Sequence, residues 1–340
     1  MKVKRIGVVM GGTSAEREIS LRSGRAVALA LEQSGHDVVR LELGSSRQSL
    51  RMLSEARLDA AFLALHGRLG EDGCVQGLLE LLEIPYTGSS VLGSALAMDK
   101  LKAKELFRLH NVPTPGYYVF EGEGTRDAIL SCHNGFGFPV MVKPRREGSS
   151  LGLQKVNDAA ELVSAMRIAQ GLDSSVLVER FVAGKELTVG ILDGQVLGCL
   201  EVAPSEGIFD YQAKYQSQQT QYFIPPRLPD AVCRGAMQLA LRAANSLGVS
   251  GAARVDIVAS EEQNEYVLEV NTLPGMTPTS LLPKIAAAAG YSFAQLCEAI
   301  VQSARLHVSQ TRHVKEAAVL PLTHFTSERR VGDRRAASGR

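Results

Sequence analysis

Two stretches, Ala253-Arg254-Val255-Asp256-Ile257-Val258 and Tyr266-Val267-Leu268-Glu269-Val270-Asn271, predict a β-hairpin. The polar run Ser260-Glu261-Glu262-Gln263-Asn264-Glu265 between them reads as its loop. Strand side chains alternate faces, so Arg254 and Asp256 share one face, as do Glu269 and Asn271. Their neighbours Val255, Ile257, Leu268 and Val270 are expected on the opposite, buried face. Folding the hairpin gathers two carboxylates, an amide oxygen and a guanidinium on one surface. Hard oxygen ligands of this kind suit Mg²⁺ bridged to substrate phosphates. The chemistry indicated is phosphoryl transfer from a nucleotide. Acidic residues on the solvent face of a hairpin are common, so the rest of the chain must weigh in.

At 340 residues the chain can bury a large core in two or three domains. A formal net charge of +1 gives no field that favours nucleic acid or an anionic membrane. Without Trp, and with 5% aromatic residues, it lacks the basic-aromatic pattern of single-strand binding. No apolar run approaches about 18 residues, and no cleavage pattern follows the first strand, so a cytoplasmic location is expected. Cys74, Cys132, Cys199, Cys233 and Cys297 are scattered without C-x-x-C spacing, which predicts reduced thiols.

Working back from the hairpin, residues 4–10 read as a buried strand ending at Gly11-Gly12-Thr13-Ser14, a turn with a helix N-cap. A helix over 15–34 follows, with Ile19, Val27, Leu29 and Leu31 as its apolar positions. Strands near 36–43 and 60–65 complete a βαβ pattern, a Rossmann-like parallel sheet within residues 1–98. Binding loops in such sheets lie at strand C-terminal ends. Residues 99–182 form a second unit: a Lys-rich helix over 99–110, a strand over 138–144, the loop Gly148-Ser149-Ser150, and a strand over 175–179. Residues 183–307 form a third unit carrying the hairpin. Residues 308–340, with Arg329-Arg330 and Arg334-Arg335, show no apolar period and read as a solvated, disordered tail.

The Walker pattern is absent, because Gly184-Lys185 is followed by Glu186. The first turn, Gly-Gly-Thr-Ser-Ala-Glu, is not G-x-G-x-x-G. Gly148-Ser149-Ser150 can still present backbone N–H groups to phosphates, with Lys143 as a cation at the preceding strand end.

The order of these parts resembles the D-alanine–D-alanine ligases of the ATP-grasp superfamily. The matching segments are GGTSAEREIS (11–20), ALHGRLGEDG (64–73), PYTGSS (85–90), MDKLKAK (98–104), VKPRREGSSLG (142–152), FDYQAKY (209–215) and EVNTLPGMTPTSL (269–281). They cover about residues 4–307 in family order. The resemblance implies an α/β, three-unit ATP-grasp fold. It also implies ATP-dependent ligation of two D-alanines through an acyl phosphate, for peptidoglycan precursor synthesis, by a cytoplasmic homodimer.

The resemblance further implies roles. Lys100 and Lys143 hold ATP phosphates, and Lys214 meets the γ-phosphate. Glu179, with the backbone near Phe181 and Val182, holds adenine, and Glu186 the ribose hydroxyls. Asp256, Glu269 and Asn271 hold two Mg²⁺ ions, with Mn²⁺ as a substitute. Arg254 and the Gly275 N–H stabilise the oxyanion. Glu16 pairs with the amino group of the first D-alanine, which His66 also touches. Ser280 and the Leu281 N–H take the carboxylate of the second. Ser149 and Tyr215 bond to the region of Glu16 and close two loops. The chain departs from the family at Gly251-Ala252-Ala253, where an aromatic is frequent, and at Phe209, where relatives carry Tyr. Two alternatives stay open: a sister ligase joining D-alanine to D-lactate or D-serine, and a silent nucleotide-binding protein that would have no need of the intact acid and lysine set.

Overall fold

Among the described residues three β-sheets carry the architecture. The computed structural model describes residues 5–44, 46–204, 220–262 and 264–308. Phe209, Lys214, Tyr215 and the tail beyond Val308 lie outside the described residues.

Strands β1 (Arg5–Gly11), β2 (Asp37–Leu43) and β3 (Ala60–Leu63) form a parallel sheet in the order β2-β1-β3. The strand β1 is apolar on both faces because helices cover both. Ile6, Val8 and Met10 pack with Leu21, Val27 and Leu31 of the helix Arg17–Gln33 and with Leu296 and Ile300 of the helix Phe293–Gln302. Val9 faces the other way, toward Leu79 and Tyr86. A strand buried on both faces reads as a continuous apolar run, as 6–10 does.

Two expectations for this first helix fail. Leu29 is 51% exposed, on the outer face. The helix also starts later than 15, with Glu16 at the N-cap position and no side-chain cap. The Ser14 hydroxyl accepts the Glu16 N–H at 3.2 Å and donates to the His66 carbonyl at 2.7 Å. It therefore ties the turn to the loop after β3, and Glu16 is left at the mouth of the helix.

Strands β4 (Tyr117–Phe120), β5 (Val140–Pro144), β6 (Gln154–Val156) and β7 (Val176–Arg180) form an antiparallel sheet ordered β4-β7-β5-β6. Val140, Val142, Val176 and Val178 pack under Leu162 and Met166 of the helix Ala159–Gln170. Alternation sends Met141, Lys143 and Glu179 to the opposite face, with Met141 and Glu179 register partners.

Strands β8 (Gly184–Leu192), β9 (Gln195–Ala203), β10 (Gln221–Phe223), β11 (Ala252–Ser260) and β12 (Glu265–Asn271) form an antiparallel sheet ordered β10-β9-β8-β11-β12. Leu187, Val189, Val255, Ile257, Val267 and Val270 pack on Leu239 and Ala243 of the helix Asp230–Ser246. The two strands reach further than the expected loop allows, since Ser260 and Glu265 belong to them.

Register in the hairpin pairs Arg254 with Asn271 and Asp256 with Glu269, then slips so that Ile257 meets Val267. The slip leaves Leu268 as an extra residue, the signature of a β-bulge. Leu268 is consequently not on the buried face expected from strict alternation. It turns to the same side as Glu269 and lines a cavity there. All five cysteines are unpaired. Among the described residues no helix is long and apolar enough to cross a membrane.

Candidate active site

Two cavities, of about 1000 Å³ and 1050 Å³ including their open mouths, share the wall formed by Lys100, Glu147 and Glu269. Alternation in the three sheets decides which side chains reach each.

The first cavity gathers Glu16, His66, Ser149, Arg254, Asn271, Gly275, Ser280 and Leu281. Their order in the chain spans 16 to 281, so only the tertiary fold brings them together. The loop after β5 turns left-handed at Ser149 and Ser150, with φ of 48° and 56°. This turn carries the Ser149 hydroxyl onto Glu16 Oε1, to which it donates. Gly148 permits the approach: a Cβ there would lie 2.6 Å from Glu16 Oε2. Ser280 occupies the N-cap position of the helix Leu281–Ala288, yet its hydroxyl does not cap that helix. It accepts the Thr277 N–H at 3.0 Å instead, so the helix begins at Leu281, in the wall of this cavity, without a side-chain cap.

His66 is buried, with its Nε2 3.5 Å from the Ser23 hydroxyl. Burial first, and then the charge of Arg254, hold its ring down to about 4. Glu71 lies in the same cavity and accepts the Gly67 N–H at 2.6 Å. Burial, followed by the nearby charge of Glu16, pushes its carboxyl well above the usual carboxylate range. The residue sits in the segment 64–73, but no sequence signal distinguishes it from the neighbouring Asp72.

The second cavity gathers Lys143, Glu179, Phe181, Val182, Glu186, Asp256 and Leu268. Lys143 and Lys104 both pair with Glu179, which is 1% exposed. Burial raises the Glu179 carboxyl, but the two ammonium charges outweigh it and hold the group below its ordinary value. Lys104, fully buried, is a residue the sequence reading missed although it lies in the segment 98–104. The Phe181 N–H is bonded to the Pro139 carbonyl at 3.1 Å, so the groups left to meet a ligand there are the Phe181 carbonyl and the Val182 N–H. Lys100 reaches across both cavities and donates to the Glu147 carbonyl at 2.5 Å.

Arg254 holds Asp256 with two bonds, at 3.0 Å and 2.8 Å, and Thr188 donates to the same carboxylate at 2.9 Å. Asn271 Oδ1 accepts the Leu273 N–H at 3.0 Å. No group of three or more acidic, His or Cys side chains poised for a metal occurs among the described residues. The hairpin offers two carboxylates and one amide oxygen, a set that leaves room for phosphate and water oxygens.

Two antiparallel sheets facing one another across a cleft, joined to a parallel N-terminal sheet, define an ATP-grasp protein. Residues 106–302 match the model described as D-ala D-ala ligase C-terminus, and residues 42–89 match D-ala D-ala ligase N-terminus. The chain belongs to the D-alanine–D-alanine ligase family. It is 49% identical to the D-alanine–D-alanine ligase of Anaeromyxobacter sp. (strain K) over 89% of its length and 97% of that relative's. Among solved structures it is similar to the D-alanine–D-alanine ligase of Bacillus anthracis complexed with ATP, with TM-score 0.77 and 34% identity over 88% of this chain and 97% of that one. It is also similar to the VanG D-Ala:D-Ser ligase of Enterococcus faecalis, with TM-score 0.76 and 29% identity over 88% of this chain and 99% of that one.

Proposed function

We propose that the chain joins two molecules of D-alanine into D-alanyl-D-alanine, with ATP converted to ADP and phosphate, and so supplies peptidoglycan precursors. The observation that carries this reading is the shared wall. A nucleotide in the second cavity would present its γ-phosphate at Lys100 and Glu269, where a carboxylate held in the first cavity could attack it. The D-alanine carboxylate takes the phosphoryl group. The neutral amine of the second D-alanine then attacks the acyl carbon, and phosphate leaves. The protein's contribution is position and charge.

Glu16, oriented by Ser149, receives the ammonium group of the first D-alanine, beside His66. Ser280 and the Leu281 N–H receive the carboxylate of the second at the helix N-terminus. Arg254 and the Gly275 N–H face the oxyanion of the tetrahedral intermediate. Lys100 and Lys143 hold phosphates, Glu186 the ribose, and Glu179 with Phe181 and Val182 the base. Lys214 and Tyr215 complete the set from the sequence. The oxygen donors of Asp256, Glu269 and Asn271 fit a pair of Mg²⁺ ions, with Mn²⁺ as substitute. When bound, such ions neutralise phosphate charge and align the transferred group. We read the chain as three units, 1–98, 99–182 and 183–307, and the enzyme as a homodimer that works in the cytoplasm.

The test is product analysis with purified protein, ATP, Mg²⁺ and D-alanine, set beside L-alanine, D-serine and D-lactate. D-Alanyl-D-alanine as the main product supports the reading. ADP release with no dipeptide, or a preferred mixed product, contradicts it.

A further inference from the structure

Lys104 lines neither cavity, and yet it is completely buried. A lysine is seldom buried without a task for its charge. It projects from the helix Lys100–Leu109 and touches three things at once. Its ammonium pairs with Glu179 Oε1, donates to the Thr114 hydroxyl, and lies 5.7 Å from the centre of the Tyr117 ring. Thr114 in turn donates to the Val267 carbonyl at 2.8 Å, and the Val267 N–H reaches the Pro113 carbonyl at 2.8 Å. The strand β12 is the edge of its sheet, so residues 113–114 add to that edge just before the chain enters β4. Lys104 thus grips the connection between the two antiparallel sheets at the back of the cleft.

Its effect on Glu179 is directional. Oε1 is shut off from solvent and faces Lys104, while Oε2 faces Lys143 at the cavity. With Oε1 pinned, the carboxylate plane is set and Oε2 is offered to the cleft. An ionised carboxylate only accepts hydrogen bonds. It can take the 6-amino group of adenine, but it meets the 6-oxo group of hypoxanthine as one acceptor against another. A buried carboxylate stripped of one counter-charge takes up a proton instead, and its new O–H donates to a 6-oxo group.

We infer that Lys104 is a positioning residue that keeps Glu179 an acceptor and thereby sets the preference for adenine over 6-oxopurine nucleotides. This rests on the reading that Glu179 faces the base. Removing the lysine charge should relax base selection and leave the handling of D-alanine alone.

The experiment compares ATP with inosine triphosphate for the wild type, Lys104→Met, Lys104→Gln and Glu179→Gln. Both kcat/KM and nucleotide affinity by calorimetry are measured, with unfolding curves to establish that each variant is folded. Lys104→Gln keeps a side chain that can still bond Thr114, in case the methionine variant does not fold. The expected result is a fall of about tenfold or more in the ATP-to-inosine triphosphate ratio for the Lys104 variants, by both readouts, with KM for D-alanine unchanged. A purely structural role would weaken both nucleotides alike and leave the ratio where it was. An unchanged ratio in folded Lys104 variants, together with a collapsed ratio in Glu179→Gln, overturns the role of Lys104 and leaves Glu179 at the base. An unchanged ratio in Glu179→Gln as well overturns the placement of Glu179 itself.

Discussion

Arg254 and Asp256, two residues apart on one strand, are joined by two hydrogen bonds that cross from one cavity to the other. Arg254 lines the first cavity and Asp256 the second, with Nε to Oδ1 at 3.0 Å and Nη2 to Oδ2 at 2.8 Å. A planar guanidinium forked onto a carboxylate has its orientation fixed, which an ammonium cannot reproduce. Arg254→Lys keeps the charge and loses the fork. We expect kcat to fall by about 10²-fold or more while KM for ATP changes much less. Steady-state kinetics decide this, and near wild-type kcat would remove Arg254 from the reacting centre.

Glu269 stands in the wall between the cavities and is the register partner of Asp256. Its side chain faces the cleft, so Glu269→Gln should keep the unfolding midpoint of the wild type. A neutral amide is a poor ligand for Mg²⁺. Turnover should therefore collapse at limiting Mg²⁺ and recover in part as the metal is raised. Chelation of the metal should abolish wild-type activity reversibly. An unaltered Mg²⁺ dependence in the variant would exclude Glu269 from metal binding.

The Ser149 hydroxyl donates to Glu16 across 133 residues of sequence. Ser149→Ala removes that donor from a buried carboxylate, a loss of about 1–3 kcal/mol. It should appear mainly as a raised KM for the first D-alanine, with ATP affinity preserved. Equal loss of affinity for both substrates would point to collapse of the whole loop.

His66 supplies a pH signature. Its folded value is about 4 against 6.5 for the free side chain. Between those two values the unfolded chain binds a proton that the folded protein does not. Stability attributable to His66 therefore falls as pH drops below 6.5 and is fully lost below about 4, a total of roughly 3 kcal/mol. Glu71 acts oppositely: its raised folded value means that the native state gains stability as pH falls through it. His66→Gln should flatten the acid side of the stability curve relative to the wild type, leaving the Glu71 contribution in place. Urea midpoints over that window measure it, and parallel curves for the two proteins would contradict it.

Alternation made the cleft face of β11 readable from Arg254, Val255, Asp256 and Ile257, because a half-buried strand writes its faces into its polarity. Alternation could not reveal the slip at Leu268. A bulge depends on pairing with another strand, and Leu268 is apolar on either face. Similarly, Ser14 looks like a helix cap, but its hydroxyl is taken by the Glu16 N–H and the His66 carbonyl, a partner 52 residues away. Lys104 and Glu71 lay inside segments that the family resemblance already covered. What makes them distinctive is burial beside charges from distant elements, Glu179 for one and Glu16 for the other, and burial of that kind is not local.

The most direct test follows oxygen. D-Alanine labelled with ¹⁸O in its carboxylate is incubated with the enzyme, ATP and Mg²⁺, and the released phosphate is analysed by mass spectrometry together with the dipeptide. Attack of the carboxylate on the γ-phosphate requires one labelled oxygen to leave with phosphate for each dipeptide made. Dipeptide formed with unlabelled phosphate, or with AMP and pyrophosphate as products, would contradict the account.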